Sequence, residues 1–154
     1  MLNRSFLPRV AAFLLFLFAF IVMAGFLRVN PAGKDSSVYY ILPLTNDPRQ
    51  VMTMDLTIDG EGFHARIEVR WLPAPAVWVI SIWDDSTGEL LINQIPLICS
   101  YGFVNDLAAP FRHLRDGKGI GSLFVIRAVD EPSTADPGEK NLTEFKVLFG
   151  DTYE

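Results

Sequence analysis

Two runs of this chain alternate apolar and polar residues with a period of two, and that period leaves one local fold. In GFHARIEVRW, Phe63, Ala65, Ile67, Val69 and Trp71 fall on one side, and His64, Arg66, Glu68 and Arg70 on the other. Successive side chains of an extended strand point to opposite faces, so this is an antiparallel strand with a dry and a wet side. The run VMTMDLTI before it puts Met52, Met54, Leu56 and Ile58 on its inner side. Asp59-Gly60 joins the two, and Gly accepts the positive φ that a tight hairpin turn needs.

The remaining segments extend the pattern. LPAPA (72–76) reads as a loop, because Pro73 and Pro75 cannot donate to a ladder. VWVISIW (77–83) is almost wholly apolar, which predicts a central strand. DDSTG (84–88) is a turn, ELLINQI a further strand, and Pro96 ends it. YGFVNDLAAPFRHLRD (101–116) carries weak helical character, and GKGIG after it a flexible turn. SLFVIRAV and TEFKVLFG are strands, separated by the polar loop DEPSTADPGEKN (130–141). The expected fold is mostly β, a small antiparallel β-barrel or sandwich of about seven strands, preceded by an N-terminal hydrophobic α-helix. Two parts follow: residues 1–37, the helix and a short polar linker, and residues 38–154, the β-domain.

The helix rests on Val10 to Leu27, where every residue is apolar or Gly. A helix of that length spans about 27 Å, enough for a bilayer core. Arg4 and Arg9 precede the run, Arg28 follows it, and Pro31 with Gly33 ends the pattern. Three readings stay open: a membrane anchor, a signal peptide cleaved after Val22-Met23-Ala24, or a helix buried against protein, such as a bundle of copies of the same chain.

Charge and residue chemistry exclude more than they select. Residues 38–154 hold 9 Lys and Arg against 17 Asp and Glu, a net −8, so no basic footprint for direct nucleic-acid recognition exists. The lone Cys99 lies in the apolar run IPLICSYGF and reads as a buried thiol. His64 sits among Arg and Glu on a wet strand face, and His113 lies between two arginines, so neither suits a metal. Asp84-Asp85 reads as a turn rather than an acid–base pair. DGKGIGS (116–122) lacks the strand-before, helix-after context of a phosphate loop. The expectation is a protein with no catalytic residues, no metal and no cofactor.

The aromatic load is the unusual feature. Trp71, Trp78 and Trp83 lie close together, and the odd separation of Trp78 from Trp83 sends them to opposite faces of one strand. Both faces then need cover, either from the chain itself or from a neighbouring subunit.

The order of several short motifs resembles the baseplate plug family of contractile-tailed bacteriophages, known from cyanophage-type baseplates. The residues that carry the resemblance are Tyr40 and Pro43-Leu44 in YYILPL, Gln50 in PRQ, then Trp78, Asp84 and Gly88. Ile95-Pro96-Leu97, Asp106-Leu107 and Gly121 to Leu123 complete the set, over about residues 38–150. The family's Leu-Gly pair before the last strand is Leu142-Thr143 here, and the apolar amino terminus lies outside the family pattern. The resemblance implies a structural virion protein at the centre of the tail baseplate. Its partners would be the hub and spike below and the tail tube and tape-measure protein above, with several copies around the tail axis sealing the lumen. The alternative is a membrane-anchored or exported bacterial β-domain in membrane or periplasm, with residues 10–27 in contact with lipid. The interface residues expected under the first reading are Phe13, Phe16, Phe18 and Phe20 in the apolar segment, Trp78 and Trp83 on the central strand, and Asp130, Pro132 and Pro137 in the polar loop.

Overall fold

In a computed structural model, residues 37–115, 117–128 and 135–153 are described. The expected N-terminal helix and most of the linker lie outside them. The alternating runs form the hairpin β2 (Arg49–Ile58) and β3 (Glu61–Leu72), which pair from Arg49↔Arg70 to Ile58↔Glu61. Asp59 and Gly60 turn between them with φ of 52° and 82°, the two positive values of a type I′ turn, whose twist matches that of the strands. Val77–Asp84 follows as β4 and Glu89–Pro96 as β5, giving a four-stranded antiparallel sheet in the order β2-β3-β4-β5. The apolar strand β4 is thus internal to its sheet, as its composition requires.

The second sheet has three strands. They are β1 (Tyr39–Ile41), β6 (Ser122–Arg127) and β7 (Phe145–Gly150), in the order β1-β7-β6. The two sheets share one core. Leu56, Ile58, Phe63, Ile67, Trp78 and Ile82 of the first meet Leu123, Val125, Val147 and Phe149 of the second. Phe63 and Phe149 touch edge to face across it, their centroids 6.2 Å apart.

The barrel alternative does not hold: the sheets are separate, and neither seam carries a ladder. At one seam β1 has only three residues, and the hydroxyl of Tyr40, not a strand partner, accepts from the Thr57 amide at 3.1 Å. At the other, Pro96 ends β5 and an irregular connection runs to Ser122. The weak helical character of 101–116 yields no α-helix among the described residues 101–115, where the helical element is a 3-10 turn at Ala109–Phe111. A side chain has taken over the backbone donors there. The Asp106 carboxylate accepts from the amides of Ala108 and Leu123, each at 2.9 Å. It also accepts from the Ser122 hydroxyl at 2.8 Å and the Arg112 guanidinium at 2.9 Å. Such local capture competes with helix formation and fixes the segment against β6 instead.

The hairpin turn is also the clasp between the sheets. Asp151 accepts from the Asp59 amide at 2.8 Å and the Val38 amide at 2.6 Å. Asp59 in return accepts from the amide and hydroxyl of Thr152, at 2.8 and 2.7 Å. Each carboxylate accepts from a donor of the other sheet, and Asp151 also ties Val38 beside its own strand, so the hairpin turn and residues 151–152 hold each other.

Candidate interaction surface

Among the described residues, reactive side chains do not converge on a cleft. Among the described residues, no group of three or more His, Cys, Asp or Glu is placed to hold a metal ion. His64 lies on the exposed face of β3, hydrogen-bonded to Asp55 of β2, with Asp85 3.6 Å from its other ring nitrogen. The Asp55 hydrogen bond is the largest cause raising its pKa above the ordinary value, and desolvation opposes it. Asp85 pairs with Arg66 at 3.1 Å. Its neighbour Asp84 accepts from the Ser86 amide at 3.0 Å, a turn contact. The two carboxylates therefore serve different partners. Cys99 is buried, and burial pushes its thiol pKa up, which disfavours the nucleophilic thiolate. His113 is exposed.

Of the residues expected at an interface, Phe13, Phe16, Phe18, Phe20, Asp130 and Pro132 lie outside the described residues. Trp78 and Trp83 do face opposite ways. Trp78 is only 1% exposed and belongs to the core, with its ring 5.7 Å from that of Trp71. Its indole N–H donates to the Gly138 carbonyl at 2.7 Å. An indole so placed offers no area to a partner; its work is to tether the 135–141 loop. Pro137 of that loop is likewise buried. Trp83 is half-buried, and the chain itself supplies its cover: the Arg66 guanidinium stacks 4.4 Å above its ring.

Several motif residues quoted above hold the loops in place. Gln50 accepts from the Thr45 amide at 2.7 Å and donates to the carbonyls of Thr45 and Asp47, closing the loop before β2. Gly121 has φ of +77°, and a Cβ there would stand 1.9 Å from the Gly150 carbonyl oxygen. No other residue fits between β7 and the strand entry. Asn141 accepts from the Gly138 amide at 2.6 Å, so it fastens the same loop that Trp78 holds.

The apolar surface lies elsewhere, on the outer face of the three-stranded sheet. Ile41↔Leu148↔Phe124 form one outward row across β1, β7 and β6, and Ile126 continues it. Phe124 is flanked by the rings of Tyr39 and Tyr153, at 5.8 and 5.7 Å. Phe103 and Val104, from the connection after β5, rise beside this row and are 69% and 54% exposed. Together they bound an open groove of about 380 Å³, walled almost entirely by carbon. The Tyr39 hydroxyl at its wall is buried without a hydrogen-bond partner among the described residues. Burial, and then Asp151, raise that phenol's pKa, so it stays protonated.

Sequence reasoning missed this face. Its signal was present in SLFVIRAV and FKVLFG, where apolar residues run without alternation and so cover both sides of their strands. Reading 101–116 as helical hid the role of Phe103 and Val104.

Residues 38–152 match the model of the family described as cyanophage baseplate Pam3 plug gp18. The chain belongs to this baseplate plug family. No curated protein matches it. The match covers the seven strands of the described residues, from β1 to β7. Family membership gives the plug domain a structural role in a phage tail baseplate, in association with other baseplate proteins. The motif residues that resemble the family, among them Gln50, Trp78, Asp106 and Gly121, are those that lock its loops to its sheets.

Proposed function

We propose that this chain is a non-catalytic plug at the centre of a contractile-tail baseplate. It sits between the hub and spike and the tail tube with its tape-measure protein. Several copies surround the tail axis and close the lumen. Residues 38–154 form the docked β-domain, and the apolar run 10–27 is the lumen element. The observation that carries this reading is a wide apolar face left bare on a domain of the plug family. A soluble monomer rarely exposes a contiguous patch of this kind, whereas an assembled part covers it. A helix apolar on all sides needs cover too, from its own copies or from lipid.

The second reading, an anchored or exported envelope domain, is favoured by the run 10–27 and by Arg4, Arg9 and Arg28 around it. Peptide mass mapping of purified particles separates the two. The plug reading expects stoichiometric recovery with peptides from residues 10–27 intact. Absence from particles, with a chain beginning near Gly25 in the host envelope, would establish the exported domain instead.

A further inference from the structure

We infer that the outer face of the three-stranded sheet is the surface through which copies of this chain meet, with Phe103 of one copy seated in the groove of the next. The inference rests on the plug reading for its setting, and names the surface that reading leaves unassigned.

Three observations support it. The first is shape. The patch holds a hole, walled by Tyr39, Phe124, Ile126 and Leu148, and a knob on its lip, Phe103, more than two-thirds exposed. A surface with both features is complementary to itself. Copies around a symmetry axis then fill every hole with a neighbour's knob. An unrelated partner would have to supply both a matching hole and a matching knob.

The second is area. Ile41, Phe103, Val104 and Tyr153 on this face are each between 48% and 69% exposed. At about 200 Å² for an aromatic side chain, their exposed surface comes to roughly 400 Å². An interface that is about 60% apolar and includes this patch buries roughly 700 Å² per partner. A stable protein–protein contact buries about 600–1,000 Å² on each side.

The third is charge at the rim. Lys146 occupies the outward position opposite Ile126, and the Arg127–Glu144 ion pair, at 3.3 Å, lies at the same end of the sheet. Both signs border the patch, so a copy meets opposite as well as like charge.

The test uses two differently tagged full-length copies, co-expressed, with Phe103 replaced by the photoreactive p-benzoylphenylalanine. Irradiation is expected to join the two tags covalently. Mapped cross-links should fall on Phe124, Ile126 or Leu148 of the other copy. Ile126→Arg in the same chain should lower the yield at least tenfold while the Trp78 emission stays that of the folded domain. Cross-links confined to one chain would overturn the inference. So would capture, in purified particles, of a different baseplate protein at position 103; that outcome leaves the plug reading standing. Absence of the chain from particles would instead remove the plug reading, while the tag-to-tag cross-link still reports the interface.

Discussion

At the scale of single residues, three positions hold more than their size suggests. Gly121 combines a left-handed backbone with a contact too close for any Cβ. Gly121→Ala should therefore cost about 3 kcal/mol or more, from overpacking and from the unfavourable φ together. A lowered urea midpoint at unchanged slope would record it. Asp106 meets four donors, and Asn in its place turns an amide N–H₂ toward some of them and strips Arg112 of its counter-charge. Asp106→Asn should cost about 2–4 kcal/mol, read in the same unfolding experiment. His64 has a pH response whose sign follows from its partner. The Asp55 hydrogen bond raises its folded pKa, so its contribution is fully present below the unfolded value of 6.5 and fades as pH climbs through the higher folded one. Asp55→Asn should bring the NMR titration midpoint of the His64 ring down toward 6.5. A midpoint that stays put would place the cause with Asp85.

At the scale of elements, legibility followed how local the deciding interaction was. The β2–β3 hairpin could be read from its period and its Asp-Gly turn, because both act within a few residues. The central position of β4 followed from its lack of polar positions. The stretch 101–116 could not be read. Its backbone is organised by one carboxylate reaching β6, with Leu123 seventeen residues away, and periodicity does not register such a contact. The same holds for the 135–141 loop. It looked solvent-exposed in composition, yet Trp78 draws Gly138 inward across a separation of sixty residues. Trp78→Phe keeps an aromatic ring in the core but removes the indole donor. It should cost about 2 kcal/mol and release the loop, seen as faster amide exchange or proteolysis at residues 135–141 with the sheets still protected. Equal loss of protection across both sheets would mean that the tether holds the whole domain rather than the loop.

At the scale of the whole molecule, the apolar face and the apolar run 10–27 raise one physical problem. Water disfavours hydrocarbon in either, and an assembly that buries both gains from each. The two are separable by experiment because they belong to different parts of the chain. The described β-domain is a compact unit with its own core, drawn from both sheets. Charges placed in the run should therefore leave that core intact. Phe16→Asp with Phe20→Asp puts two carboxylates among apolar neighbours, where an ionised group is strongly penalised whether the surroundings are lipid or a bundle of copies. The expected result is a folded β-domain, with the near-ultraviolet dichroism of its buried Trp78 unchanged, and a sharp fall in infectious particles. Lysates of the variant should then hold tails lacking this chain, or tails that lose their contents early. A normal particle count would show that residues 10–27 do not seal the lumen.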